Sequence, residues 1–203
     1  MNRRAMIKPA FILSLAALAL AGCNSQTPVA EPLTPPLEGS TIGGPFTLVD
    51  TAGETVSWSD FDGKYRIVYF GYAYCPDICP FDVQRLGQAY DMLEERDAAL
   101  AAQVQPIFIT VDPERDTPEV IEEFLSHFSD DFIGLTGTTE AIDEAKESFK
   151  IYAQKGEEEE GGYYLVDHSR SVLLMGRQGE PMALLPVDDG PEAITDEVVR
   201  WTS

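Results

Sequence analysis

The 203-residue sequence predicts an α/β domain in which a mixed central sheet is flanked by helices and preceded by a β-hairpin. Short apolar runs alternate with segments of helical periodicity through the middle of the chain. Two further apolar runs follow each other near the carboxyl end with only a short turn between them, which indicates an antiparallel pair. Strands joined through helices and then closed by a hairpin give a sheet of mixed direction.

The first half of the domain supplies a hairpin, two strands and a helix. Phe46–Val49 and Thr55–Val56 flank the turn residues Asp50-Thr51-Ala52-Gly53, and Tyr65–Gly71 and Val104–Val111 are apolar enough to be buried strands. Between those strands, apolar side chains recur at helical spacing from the second cysteine of the motif described below to about Ala99; they are Val83, Leu86, Tyr90 and Leu93.

The second half continues the alternation. Thr117 is a predicted N-cap with Pro118 at the first helical position, followed by the apolar stripe Val120, Ile121, Phe124, Leu125 and Phe128. The remaining predicted elements are a short helix over Ala141–Lys150, strands over Tyr163–Val166, Val172–Met175 and Met182–Val187, and a closing helix over Glu192–Trp201. This order of elements is thioredoxin-like.

The amino terminus has the pattern of an export signal. A basic start with Arg3, Arg4 and Lys8 precedes an apolar run from Phe11 to Ala21, too short to span a bilayer, that ends Leu20-Ala21-Gly22-Cys23. This resembles a bacterial lipoprotein signal with its lipobox, which implies cleavage before Cys23 and a lipid on its sulfur. The alternative is an ordinary secretory signal with a chance cysteine at its end.

The sequence therefore predicts three regions: a signal peptide over residues 1–22, a lipidated cysteine with a flexible, proline- and glycine-containing tether over 23–41, and one domain over 42–203. Without the signal, 11 basic side chains face 35 acidic ones, a formal charge of −24. That charge excludes nucleic acid as a partner and indicates either a solvated acidic surface or attraction to a basic one. The acidic run Glu157 to Glu160 is predicted to be an exposed hairpin tip.

Two thiols occur in Tyr74-Cys75-Pro76-Asp77-Ile78-Cys79-Pro80, at a predicted junction between strand and helix. Pro80 suits the first helical position, so the helix is expected to begin at Cys79, with Cys79 at its cap. At a helix amino terminus the free N–H groups and the helix dipole favour thiolate, so one or both cysteines should be more acidic than a free cysteine. Thiolates bind soft metals and exchange disulfides.

A structural disulfide is the alternative for this pair in an exported chain. Closing a loop of only three intervening residues constrains the unfolded chain little, which favours chemistry over a structural bridge. The spacing differs from the two intervening residues of thioredoxin-type pairs, and the chain has no second pair to complete a four-thiolate zinc site. A metal site with one further ligand fits better.

Only two histidines are available as that ligand. His127 lies off the apolar stripe of its predicted helix and is expected at the surface. His168, in Asp167-His168-Ser169, follows one predicted strand and precedes the next. A histidine in such a loop is a solvated residue by default, unless the fold brings the loop over the cysteines.

Several separate motifs resemble the Sco/SenC family of membrane-tethered, thioredoxin-like copper proteins. They are Phe70-Gly71-Tyr72 before Cys75-Pro76-Asp77-Ile78-Cys79-Pro80, then Val111-Asp112-Pro113-Glu114-Arg115-Asp116-Thr117-Pro118, Leu135-Thr136-Gly137 and Asp167-His168-Ser169. The resemblance implies that Cys75, Cys79 and His168 bind copper. It also implies a role in assembling the binuclear copper centre of a respiratory cytochrome c oxidase, with the oxidase's copper-bearing subunit and other periplasmic copper carriers or thiol reductants as partners.

The ligand chemistry agrees with that implication. Two thiolates suit Cu(I), and an added imidazole makes a set that can also hold Cu(II), although zinc accepts the same ligands. Asp77 and Asp167 adjoin the ligands and could accept hydrogen bonds around the site, or could be plain surface residues. The carboxylates from Asp112 to Asp116 lack the rhythm of an EF-hand loop, and a turn with an Arg115 ion pair is expected there instead.

Two functions remain open at this point. One is a copper metallochaperone on the outer, periplasmic face of the cell membrane, held there by a lipid on Cys23. The other is an enzyme, a thiol-disulfide oxidoreductase that reduces the oxidase's copper-site cysteines or acts in redox signalling. Both use Cys75 and Cys79, but only the first uses His168. Thioredoxin-type reductases carry a proline opposite their cysteines, and Asp167-His168-Ser169-Arg170 contains none.

Overall fold

A computed structural model of the chain describes residues 34–159 and 161–202. The proposed signal peptide and Cys23 lie outside this range. The compact unit begins at Thr34, ahead of the predicted start at Ile42. The backbone N–H of Leu37 donates to the carbonyl of Met182 (3.0 Å), which joins the last residues of the predicted tether to the domain. Within the described residues, no helix is both long and apolar enough to cross a membrane.

A seven-stranded sheet forms the centre of the domain. In chain order its strands are β1 (Thr47–Asp50), β2 (Thr55–Ser57), β3 (Tyr65–Gly71), β4 (Val104–Thr110), β5 (Ile133–Thr136), β8 (Val172–Met175) and β9 (Pro181–Leu184). Two further strands, β6 (Ala153–Lys155) and β7 (Val166–His168), form a separate antiparallel pair. The order across the large sheet is β2-β1-β5-β4-β3-β8-β9.

The sheet is of mixed direction, as predicted. β3, β4 and β5 run parallel, and the neighbouring pairs at both edges are antiparallel. In the part of the chain that the structure describes, the α-helices are α1 (Ile78–Arg96), α2 (Ala98–Ala101), α3 (Pro118–Ser126), α4 (Thr139–Phe149) and α5 (Pro191–Thr202). The unit β3-α1-β4 followed by β8-β9-α5 is the thioredoxin-like fold that the order of elements predicted.

The central strands carry the core. Strand β3 is buried from Arg66 to Gly71 and β4 is buried from Pro106 to Thr110, with side chains covered on both faces of the sheet. Parallel strands between helical layers need such continuous apolar runs, which explains why the sequence marked these two elements so clearly. The cysteine motif follows the end of β3 along the chain, so a buried strand positions the start of the candidate site.

Most of the predicted elements are confirmed. The hairpin, β3, β8, the N-cap at Thr117 and the closing helix occupy the expected positions, and the Thr117 hydroxyl accepts a hydrogen bond from Val120 N–H (3.4 Å). The acidic stretch Glu157–Glu159 is exposed and lies between the paired strands β6 and β7, as the predicted hairpin tip requires. Glu160 lies outside the described residues.

Two predicted elements near the candidate site are wrong in detail, and two strands were not predicted. Helix α1 begins at Ile78 with Asp77 as N-cap, so Cys79 lies inside its first turn rather than at the cap. The strand expected over Tyr163–Val166 is instead β7, Val166–His168, and His168 is its last residue rather than part of a loop. Strands β5 and β6 were not predicted, because four residues containing a glycine and three polar-flanked residues give almost no periodic signal.

Candidate metal centre

The cysteine pair lies where β3 passes into α1. A turn after β3 is closed by a hydrogen bond from Cys75 N–H to the carbonyl of Tyr72 (3.2 Å). Cys79 follows in the first turn of α1, and its N–H donates to the Cys75 sulfur (3.4 Å). Both cysteines are buried and are free thiols. The strand-to-helix junction therefore brings the two sulfurs to the same place with an N–H group directed at one of them.

His168 reaches these sulfurs from the small sheet. As the last residue of β7 it pairs with Ala153 of β6, and its Nε2 lies 3.3 Å from the Cys79 sulfur. One ligand atom from each of Cys75, Cys79 and His168 lies within 4.8 Å of the others, an arrangement that could hold a metal ion. The three side chains named from the sequence are thus adjacent, although the cysteines lie in the turn after β3 and in α1, whereas His168 ends a strand of the small sheet.

The histidine ring is oriented through its other nitrogen. His168 Nδ1 lies 2.8 Å from the backbone carbonyl of Ser169. A carbonyl only accepts, so Nδ1 is protonated and donates to it, and Nε2 is the ring nitrogen that faces the cysteines. A metal-binding histidine is commonly fixed in this way, with the remote N–H donated to the backbone.

The two thiols differ in acidity. Hydrogen bonding from the Cys79 side chain, opposed by burial and supported by His168 and the N–H groups of Cys79 and Asp77, lowers the pKa of Cys75 to about 3. The Cys75 side chain and burial raise the pKa of Cys79. The pair therefore holds one thiolate and one thiol near neutral pH, and the thiol proton is released when both sulfurs bind a metal.

Two tyrosines border the site. The rings of Tyr69 and Tyr72 meet the His168 ring edge to face, with centroids 6.4 and 5.7 Å apart. The Tyr72 hydroxyl also accepts a hydrogen bond from Val166 N–H (3.2 Å) in β7, and burial raises the pKa of Tyr72 to about 12. Burial also raises the pKa of Tyr69, so both phenols stay protonated while their rings pack against the imidazole.

A buried carboxylate under the site was not identified from the sequence. Asp82 of α1 is fully buried and accepts hydrogen bonds from the Tyr69 hydroxyl (3.0 Å) and from the Arg170 guanidinium (2.7 and 3.1 Å). An aspartate inside a helix is usually a surface residue, and its partner Arg170 is 88 residues away in the chain, so nothing in the sequence suggests pairing them. The only available signal was that Asp82 falls beside Val83 on the apolar face of the predicted helix.

A second polar cluster lies on the other side of the β6–β7 hairpin. The Tyr164 hydroxyl donates to Asp112 (2.7 Å), and Arg115 donates to Asp112 (2.6 Å) and to the Tyr164 carbonyl (3.0 Å). The Arg115 guanidinium also lies over the Tyr164 ring, 3.5 Å from its centroid. The Arg115 ion pair expected from the sequence is confirmed, and it anchors the segment that leads to His168.

The remaining sequence candidates lie on the surface. Asp77 and Asp167 are exposed, and within the described ranges neither carboxylate hydrogen-bonds to Cys75, Cys79 or His168. A role for them as acceptors around the site stays a prediction; for Asp77 it is the backbone N–H that contributes to the site. His127 is exposed, with Nδ1 2.6 Å from the Glu123 carbonyl, as expected.

Comparison with known proteins identifies the family to which this chain belongs. The family model described as SCO1/SenC matches residues 34–203, which include both cysteines and His168. The chain belongs to the SCO1/SenC family. Within it, SenC of Rhodobacter capsulatus is 43% identical over 157 residues, covering 77% of this chain and 69% of SenC. The chain spans 46 to 60% of the length of the mitochondrial SCO1 homologues that it matches in Arabidopsis thaliana and human.

Solved structures of SCO1/SenC proteins have the same fold. Copper-bound ScoI of Arabidopsis thaliana is 39% identical with a TM-score of 0.73, covering 78% of this chain and 96% of that structure. Copper-bound ScoI of Bradyrhizobium japonicum is 34% identical with a TM-score of 0.72, covering 79% and 99%. Family members of this fold therefore bind copper, and this SCO1/SenC chain has a Cys-Cys-His group able to hold a metal ion.

Proposed function

We propose that this protein is a copper metallochaperone that binds one copper ion through Cys75, Cys79 and His168. The observation that carries the proposal is the convergence of two buried sulfurs and the nitrogen of a half-buried imidazole within 4.8 Å of one another. Copper-bound relatives with the same fold support copper as the metal. The cargo would be delivered to the binuclear copper centre of a respiratory cytochrome c oxidase, whose copper-bearing subunit is the proposed partner.

The donor set suits both oxidation states of copper. Thiolate sulfur binds Cu(I) strongly, and the imidazole adds a nitrogen ligand that favours Cu(II). Cys75 is already a thiolate, so only Cys79 must lose a proton on binding. Three ligands also leave a coordination position open, through which a receiving protein's ligand can enter before the donor's ligands leave.

A thiol-disulfide oxidoreductase is the second candidate. The depressed pKa of Cys75 and its contact with Cys79 are properties of a reactive pair. His168 favours the first function, since its Nε2 lies at the sulfurs as a ligand would, while its Nδ1 is held by the Ser169 carbonyl. For the metallochaperone, we also propose that the domain lies on the periplasmic side of the cell membrane and is anchored there by a lipid on Cys23.

Copper stoichiometry and spectra test the assignment. The full chain, purified in detergent and reduced, should bind one copper. Replacing Cys75 or Cys79 by serine should nearly abolish binding, whereas His168→Ala should weaken Cu(II) binding more than Cu(I) binding, because two thiolates suffice for the softer ion.

His127→Ala is the matched control, because it removes the chain's other histidine from an exposed position and should change neither spectrum nor stoichiometry. An unchanged Cu(II) spectrum in His168→Ala would show that His168 is not a ligand. Full copper loading of the serine variants would reject the proposed site as a whole.

A further inference from the structure

Arg170 lies two residues after His168, in the connection between β7 and β8. Its Nη2 donates to Asp82 Oδ1 (2.7 Å) and its Nε donates to Asp82 Oδ2 (3.1 Å). The guanidinium thus contacts both carboxylate oxygens in a two-pronged geometry, which gives direction as well as strength. The segment that carries His168 is therefore bound directly to the helix that carries Cys79.

The helix side of this contact is rigid. Asp82 follows Cys79 by three residues, and its side chain is fully buried. A buried carboxylate is costly unless it is paired and hydrogen-bonded, so the fold holds Arg170 in place strongly. The Tyr69 hydroxyl supplies a third hydrogen bond (3.0 Å), and the same Tyr69 ring contacts the imidazole of His168.

We propose that Asp82 and Arg170 are a positioning pair that sets the separation of the His168 imidazole from the cysteine sulfurs. The inference rests on the proposed copper function and adds two residues to it. Each member of the pair lies within three residues of a ligand on a different element. The pair thus joins the segment after β7 to α1 beside the ligands, and it fixes where Nε2 lies before any metal binds.

Other charges nearby are more exposed. Arg170 Nη2 also lies 3.0 Å from Asp188, whose side chain is 74% exposed, and Arg85 lies 4.0 Å from Asp82. An exposed ion pair is screened by water and salt and contributes little. Asp188→Asn is therefore a matched control: it removes one partner of Arg170 and leaves the buried contact intact.

The test compares copper binding by full-length Arg170→Gln, Arg170→Lys and Asp188→Asn with that by wild type. Arg170→Gln should lower Cu(II) affinity about tenfold to a hundredfold and alter the Cu(II) absorption and EPR spectra. Cu(I) affinity should change less than about threefold, because the thiolates are untouched. Arg170→Lys keeps the charge but loses the two-pronged contact, so it should lie between Arg170→Gln and wild type. Asp188→Asn should match wild type.

A second measurement needs no copper. In the copper-free wild type, ¹⁵N NMR should show His168 as a single tautomer protonated at Nδ1, with His127 as an internal reference. Arg170→Gln should show the His168 ring exchanging between tautomers. If Arg170→Gln fails to fold, the same comparison is made with Arg170→Lys.

Wild-type Cu(II) spectra and wild-type His168 signals in a folded Arg170 variant would overturn the positioning role. A wild-type chain that binds no copper would reject the proposed function instead. In that case the imidazole signals alone decide whether Asp82 and Arg170 orient His168.

Discussion

Asp116 is a buried carboxylate beneath the turn that leads to the cysteines. One of its oxygens accepts hydrogen bonds from the Thr110 hydroxyl (2.7 Å) and from Ala73 N–H (3.0 Å), while the other oxygen has no hydrogen-bond partner within the described structure. Burial raises the pKa of Asp116 to about 6. The folded protein therefore favours the neutral acid at this position.

This raised pKa predicts a pH-dependent stability. The contribution of the neutral acid is fully present below the unfolded-state pKa near 4, and it is lost as pH rises through about 6. Asp116→Asn cannot ionise, so its free energy of unfolding should rise relative to wild type by on the order of 2 to 3 kcal/mol between pH 4 and pH 7. Urea titrations at several pH values measure this difference.

Asp130→Asn is the control for that experiment, because it removes the same charge from an exposed position near the end of α3. Its stability should follow wild type across the pH range. Parallel curves for Asp116→Asn and wild type would show that folding does not raise the pKa of Asp116.

At the residue scale, the sequence predicted the site better than its surroundings. Cys75, Cys79 and His168 were identifiable because thiols and imidazoles are rare in this chain, which contains three cysteines and two histidines. Asp82 and Arg170 were not, since aspartate and arginine are common and only the fold shows that one is buried and the other lies over it.

At the scale of elements, the start of α1 suggests why copper binding and disulfide formation by the two cysteines exclude each other. Cys75 precedes α1 and Cys79 lies in its first turn, with their sulfurs no more than 4.8 Å apart. A small movement of the turn is enough to bring them to disulfide distance, because Cys75 is not constrained by helical hydrogen bonds.

Mild oxidation should therefore join Cys75 to Cys79 within one chain and block copper uptake, since a disulfide sulfur is a far poorer ligand than a thiolate. Peptide mapping identifies the bond, and a Cu(I) competition assay before and after reduction measures the loss. A chain with Cys23→Ser keeps the same pair and serves as control for bridging through the amino-terminal cysteine. Equal Cu(I) affinity in oxidised and reduced protein would contradict thiolate ligation.

Individual strands and helices also show where prediction from sequence succeeds and where it fails. Strand β3 was predicted to the residue because its apolar run is continuous and buried on both sides. Strands β6 and β7 have three residues each and depend on pairing with each other, so local propensity could not place them. The start of α1 was misplaced because Pro80 is tolerated throughout the first helical turn, not only at its first residue.

At the scale of the whole molecule, we expect Cys23 to determine where in the cell the protein lies. A lipid on Cys23 would hold the compact unit, which begins at Thr34, near the membrane surface. The metal site would thus remain close to a partner embedded in the same membrane.

Cys23→Ser should release the protein into the soluble periplasmic fraction or leave its signal uncut. It should also lower oxidase assembly while leaving copper binding unchanged, because no ligand is altered. Fractionation, mass spectrometry of the amino terminus and oxidase activity measure these effects. Ser25→Ala, two residues further on, is the control and should remain membrane-bound. Wild-type protein found wholly soluble and unacylated would contradict the anchor.

The division of the ligands between two sheets also bears on how copper leaves. Both thiolates are attached to the large sheet through β3 and α1, whereas His168 belongs to the two-stranded pair β6–β7. A receiving protein that removes the imidazole must displace this hairpin, and with it the buried side chains of Tyr164 and Val166 and the contact of Arg170 with Asp82. Release is then a local opening of one hairpin, and we expect hydrogen exchange in β7 to slow when copper is loaded and to recover when it is transferred.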